Sequence, residues 1–277
     1  MPKLLVDGLM FGEGPRWREN SLWLSDMHAQ QVLRVSQTGE AEVIVELAND
    51  QPSGLGWLPN GDLLIVSMTE RTLLRYDGVE LSIHADLSEL ASWYCNDMVV
   101  DQHGRAYVGN FGFDLHNRAP HAPAELICVE PNGKARVVAG DVMFPNGTVI
   151  TPDGKTLIVG ESFGGKLTAF DIDDSGDLSN RRVWAELPDR AVPDGICLDA
   201  GGGIWSASPS TNECIRQIEG GEVTHRVELE RGGFACMIGG DNLYVLTSSS
   251  SVPAECKANR DARVEIYNAP YPAAGWP

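Results

Sequence analysis

The 277-residue sequence predicts an all-β protein, a six-bladed β-propeller with four-stranded antiparallel blades. Three observations carry that expectation. Helical periodicity is nearly absent. Short β-branched and aromatic runs bounded by Gly, Asn, Asp and Pro recur instead, as in QVLRV, EVIVEL, DLLIVSM, RAYVGNF, ARVVA and TLIVGES. A turn followed by a strand centred on an aromatic residue or Leu then repeats six times, at Trp23, Leu64, Tyr107, Leu157, Trp205 and Tyr244. The spacings are 41, 43, 50, 48 and 39 residues, room for four short strands in each unit.

The elements follow in order from this repeat. Ahead of each such strand lies a second segment, beginning at Glu13, Ser53, Asn96, Asn146, Asp194 and Ala235. Next to the turn of the second strand, it is expected to be the innermost strand, with its first residue at the mouth of a central channel. KLLVDG near the start is placed to pair with VEIYN (264–268) and close the ring, which removes the open edge of a sheet. The 30 Gly and 16 Pro are spread as punctuation with no linker between them, so residues 1–277 are expected to form one domain.

Composition narrows the partners. The chain has 21 Lys plus Arg against 39 Asp plus Glu, a net charge of −18, with 43% hydrophobic residues for a sizeable core. Nucleic acid and anionic membrane surfaces are bound through Lys and Arg that such a chain largely lacks. No apolar run approaches the ~20 residues of a spanning helix, and the first residues do not resemble a secretory signal. The six Cys are scattered without metal-ligand spacing, which suits reduced thiols. A cytoplasmic protein with a small-molecule partner is expected, as a monomer or small homo-oligomer.

Five of the six inner segments begin with an oxygen-bearing side chain: Glu13, Ser53, Asn96, Asn146 and Asp194. Singly, each reads as a turn residue, since Asn and Asp before Gly suit turns. Together they share one repeat position, and blade rotation would bring them to one axis. Two carboxylates and two amides in a narrow channel repel and are poorly solvated without a cation. An all-oxygen set with no His or Cys suits a hard divalent ion such as Ca²⁺ or Mg²⁺.

The segments FGEGPRW (11–17), CNDMVVDQHGRAYVGN (95–110), FPNGTVITPDGKTLIVGES (144–162), PDGICLDAGGGIW (193–205) and FACMIGGDNLYV (234–245) resemble the regucalcin/gluconolactonase/luciferin-regenerating-enzyme family of six-bladed propellers. The likeness runs over essentially the whole chain. It implies one divalent metal ligated by Glu13, Asn146 and Asp194, with Asn96 a fourth ligand or a substrate contact. Ca²⁺ is the expected ion, with Mg²⁺, Mn²⁺, Zn²⁺ and Fe(II) compatible with the same set. It also implies lactone hydrolysis, with Asp194 and Asn96 as catalytic residues. Whether Asp194 or a hydroxide generated by the ion is the effective base stays open. No G-x-S-x-G elbow is present, which argues against a covalent intermediate.

The sugar-lactone members carry an Arg where this chain has Tyr94, and a carboxylate where it has Phe113. Trp93, Tyr94, Phe111, Phe113, Met27, Met143 and Phe163 are accordingly expected to form an apolar, aromatic pocket, for a hydrophobic or aromatic lactone rather than a sugar lactone. The Pro-rich segment 114–124, with His116 and His121, is long enough to act as a lid. His28 follows the first-blade strand with no assigned role, and Ser53 and Ser208 are expected near the channel. Two competing functions use the same scaffold: a phosphotriesterase-like hydrolase, and a non-catalytic Ca²⁺-binding or interaction propeller. The coincidence of Glu13, Asn96, Asn146 and Asp194 favours the hydrolase, since a scaffold needs none of them.

Overall fold

In the computed structural model, which describes residues 2–188 and 190–277, strand pairing follows the sequence repeat. A first strand, β1 (Lys3–Leu9), is set aside from the first blade. Blade one comprises β2 (Gly12–Arg18), β3 (Ser21–Asp26), β4 (Gln31–Val35) and β5 (Ala41–Glu46). Blade two is β6 (Pro52–Trp57), β7 (Leu63–Ser67), β8 (Thr72–Tyr76) and β9 (Leu81–Asp86). Blade three is β10 (Cys95–Val100), β11 (Ala106–Asn110), β12 (Ala124–Val129) and β13 (Ala135–Val142). Blade four is β14 (Pro145–Ile150), β15 (Thr156–Glu161), β16 (Lys166–Ile172) and β17 (Leu178–Glu186). Blade five is β18 (Ile196–Leu198), β19 (Ile204–Ser208), β20 (Glu213–Gln217) and β21 (Val223–Glu228).

Blade six is built from both ends of the chain. β22 (Gly232–Gly239), β23 (Asn242–Ser248) and β24 (Ala262–Asn268) come from the C-terminal part, and β1 supplies the outer strand. Lys3 faces Ile266 and Val6 faces Val264, so the expected ring closure is present. The helix α1 (Pro253–Asn259) lies between β23 and β24. No helix among the described residues is long and apolar enough to cross a membrane.

Alternation explains the core. The second strand of every blade is buried along its length, as in β7 and β11, because its two faces pack on the flanking blades. Outer strands such as β9 leave Ile83 in solvent. The repeat residues Trp205, Tyr107 and Tyr244 are among the largest fully buried side chains. All six Cys are free and buried.

Two features set the channel. The inner strand of blades one, two, three, four and six has a register shift, between Glu13 and Arg16 in β2 and between Pro145 and Thr148 in β14, for example. A bulge there bends the strand and re-aims the side chain beside it. The second feature is a small residue at the axis. A Cβ on Gly14, which has φ +53°, would sit 2.5 Å from Ser53 O, and one on Gly147 would sit 2.3 Å from Ile196 N. The inner strands therefore touch backbone to backbone. The Glu-Gly, Ser-Gly, Asn-Gly and Asp-Gly pairs of the repeat reflect this close approach.

Candidate functional site

The same contacts correct the sixth repeat position. Gly147 N–H donates to Asp194 O (3.0 Å), and one blade further Gly195 N–H donates to Phe234 O (2.8 Å). In the strand ladders, the residue just before each mouth residue pairs with the end of the second strand: Gly12 with Asp26, Pro145 with Glu161, Gly233 with Thr247. Phe234, not Ala235, is thus the sixth equivalent of Glu13. Ala235 takes the small-residue place, where the Cβ of a larger Gly195 would meet it at 2.6 Å.

Glu13, Asn96, Asn146 and Asp194 line one cavity of about 590 Å³ at the mouth of the channel. Each is held by its neighbours. Gly14 N–H donates to Glu13 Oε2 (3.3 Å). The Asn96 amide donates to Pro145 O (3.2 Å) and the Asn146 amide to Ser162 Oγ (3.3 Å), whose hydroxyl donates in turn to Pro193 O (2.7 Å). With Nδ2 so engaged on each Asn, the amide oxygens remain to face a cation. Asp194 precedes the short strand β18 and is fixed by donating its N–H to Ala207 O (3.0 Å).

Second-strand ends fix the segments that lead into these residues. Asp26 accepts from the Met10 and Phe11 N–H groups, Glu161 from Met143 N–H (2.8 Å), and Ser208 Oγ from Val192 N–H (3.1 Å). Ser208 is consumed in that support, and Ser53 is buried with its carbonyl accepting from Ser25 Oγ. Neither lines the cavity.

The electrostatics are unbalanced. Burial, then the charges of Asp194 and Asp97, push the Glu13 carboxyl well above the usual range. Enclosure pushes Asp194 up to about 8, opposed in part by the Asn146 amide. Among the described residues neither carboxylate has a Lys or Arg partner, whereas nearby Asp97 is ion-paired to Arg16 at 2.6 Å. Two enclosed carboxylates beside two amide oxygens are a donor set that fits a hard divalent cation. No three His, Cys, Asp or Glu among the described residues converge to hold a metal, at this site or elsewhere, so a cation here would depend on the amides.

Of the expected pocket residues, Met27, Tyr94, Phe111 and Phe163 line the cavity. Trp93, Phe113 and Met143 do not. Phe113 is walled off by Phe144, Phe163 and His121, with ring centroids 5.9, 5.4 and 5.0 Å away. Trp93 stacks behind Tyr94 at 5.2 Å, and Met143 contributes its backbone to Glu161. The walls are aromatic through residues the repeat could have revealed. Phe11, Gln51, Tyr94, Phe144 and Val192 all stand two positions before a mouth residue, and all line the cavity, since strand residues i and i−2 share a face. Phe111 and Phe144 stack at 4.5 Å, and Phe11 meets Phe234 edge-on at 4.8 Å. Segment 114–124 reaches over the mouth through Leu115, His116 and Arg118, the last being the cavity's one Arg or Lys among the described residues.

Residues 11–249 match the SMP-30/Gluconolactonase/LRE-like region. A regucalcin of Danio rerio is 27% identical over 90% of this chain and 86% of its own length. A 6-deoxy-6-sulfogluconolactonase of Pseudomonas putida is 28% identical over 56% of this chain and 53% of its own length. The solved structure of a calcium-binding protein, a regucalcin of Agrobacterium tumefaciens, superimposes with a TM-score of 0.78 at 21% identity, covering 99% of this chain and 97% of that one.

Proposed function

The chain belongs to the SMP-30/gluconolactonase/LRE-like family, and on that premise we propose that it is a single-domain hydrolase opening a hydrophobic or aromatic lactone. The observation that carries this reading is the pairing of Glu13, Asn96, Asn146 and Asp194 with aromatic walls in one cavity. The sugar-lactonase and calcium-binding names of its relatives support the reaction class and a divalent ion.

Glu13, Asn146 and Asp194 would hold the ion, with Asn96 beside them as a fourth ligand or a contact to the substrate. When bound, a divalent cation supplies polarisation of the lactone carbonyl and a lower pKa for water. Asp194 Oδ takes a proton from the attacking water, whose oxygen bonds to the carbonyl carbon. The ring C–O bond then breaks, and the leaving alkoxide takes that proton back from Asp194 to give the hydroxy acid. Phe11, Tyr94, Phe111, Phe144 and Phe234 hold the apolar body of the substrate and keep bulk water from it. Tyr94 presents no charge where the sugar-lactone members carry Arg.

The test is proton release by pH-stat on a panel of sugar, aliphatic and aromatic lactones, before and after chelation and restoration of Ca²⁺, Mg²⁺, Mn²⁺ or Zn²⁺. Chelator-sensitive hydrolysis favouring the hydrophobic lactones is expected. No turnover of any lactone with any restored ion would overturn the reading.

A further inference from the structure

His28 sits in a 3-10 turn, Met27–Ala29, that follows β3. Gln30, at φ +63°, closes that turn through its N–H to Met27 O, and Met27 N–H donates to Phe11 O at 2.8 Å. Helix α1 packs across the turn. His28 is only 6% exposed and lines the same cavity as the oxygen cluster. It stacks on Phe11, with ring centroids 5.3 Å apart and the planes at 28°. Neither ring nitrogen makes a well-formed hydrogen bond, although the Ser251 backbone and the Gln51 side chain lie beside the ring.

A buried side-chain nitrogen is nearly always paired, and one that is not usually awaits a ligand or a water. The imidazole carries both atoms within the cavity wall, with Gln51 and Ser251 beside it. Burial, then the positive charge of Lys257 on α1, holds His28 below the ordinary histidine range. Its ring is therefore neutral at pH 7, with one N–H donor and one lone-pair acceptor to offer.

We propose that His28 is a substrate-recognition residue, hydrogen-bonding an uncharged oxygen substituent (a hydroxyl or a second carbonyl) carried on the apolar body of the lactone. This rests on the lactonase reading for the identity of the substrate, though not for the binding group itself. An anionic substituent would require the enclosed ring to be charged, so a neutral one is favoured. The residue touches neither bond formation nor bond cleavage. Its role is to choose among lactones by whether they satisfy its nitrogens, because a site with unpaired buried polar groups rejects the analogue that leaves them unpaired.

The experiment compares the wild type with His28→Phe, which keeps a planar ring on Phe11, and His28→Gln, which keeps a donor and an acceptor. Substrates are alkyl δ-lactones with a hydroxyl walked along the chain, together with their deoxy counterparts. His28→Phe should raise KM for the best hydroxylated lactone at least about tenfold, with kcat and the deoxy counterpart within about twofold. His28→Gln should recover part of the loss. In parallel, ¹⁵N NMR of the His28 ring should show its nitrogens shift when the matching hydroxylated lactam, which resists hydrolysis, is added. Equal selectivity in all three proteins, or ring nitrogens unmoved by the lactam and bonded only to water, would overturn the proposal. If no lactone is turned over but the nitrogens still respond to the lactam, the reaction is wrong and the recognition role stands.

Discussion

The two ends of the channel treat negative charge in opposite ways. From Asp97, close to Glu13, toward the recess formed by Trp17, Trp57, Val100 and Trp276, the buried acids each have an arginine: Asp97 with Arg16, Asp101 with Arg105 and Asp199 with Arg216, all at 2.6–2.7 Å. Backbone N–H groups complete the last two, as those of Gly201 and Gly203 do for Asp199. At the cavity end Glu13 and Asp194 have no arginine, only the Gly14 N–H on Glu13 and the Asn146 amide on Asp194. The contrast shows that the fold can neutralise a buried carboxylate where it needs only stability. Among the described residues, Glu13 and Asp194 are left without an arginine at the end proposed to bind.

The largest test of the contrast removes the proposed base. Asp194→Asn should lower lactone turnover by at least about 1,000-fold with unchanged circular dichroism. Wild-type hydrolysis by that variant would remove Asp194 from the reaction. At the other end the effect should fall on stability instead. Asp101→Ala leaves Arg105 buried without its carboxylate and should cost about 3–5 kcal/mol in a denaturant titration. A loss under 1 kcal/mol would mean that the pair is not the structural counterpart described above.

pH separates the ends further. Asp194 has a pKa near 8 in the fold against about 3.9 in an unfolded chain. The ionised form is thus disfavoured by folding, and stability without bound metal falls as pH rises from about 4 through 8. The melting temperature of chelated protein should drop between pH 5 and pH 8, and added Ca²⁺ should restore more at pH 8. A flat profile would show that the two acids are neutralised from within. The smallest expected change is in specificity. Tyr94→Arg should move the kcat/KM ratio toward aldonolactones by about tenfold, since Tyr94 faces the cavity. Phe113→Glu is not a useful companion, because it would enclose a charge among Phe144, Phe163 and His121.

The repeat made the fold legible: spacing located every second strand, and the pairing of residues 3–8 with 264–268 could be read from the ends. The four oxygen-bearing residues were legible for the same reason, as one position recurring in rotation. What escaped is instructive. Ala235 stands where a glycine would in other blades, and without the inter-blade hydrogen bonds its neighbour Phe234 is indistinguishable from core. Phe113 looked like a wall residue by its place after β11, but the path of segment 114–124 decides whether a ring faces the cavity or its neighbours, and no local pattern encodes that path. His28 was visible as a residue and silent as a function, because its enclosure beside Phe11 in the cavity wall exists only in three dimensions.

The sharing of blade six between β1 and β24 also bears on how the molecule is made. During synthesis β1 leaves the ribosome before every other strand and has no partner until β24 has followed. For that interval its backbone is an open edge, and the first blade has a neighbour on one side alone. Contacts of such long sequence separation slow folding. Closure should therefore be the last and slowest step, and the stage at which pairing with a second copy competes best with pairing to the chain's own end.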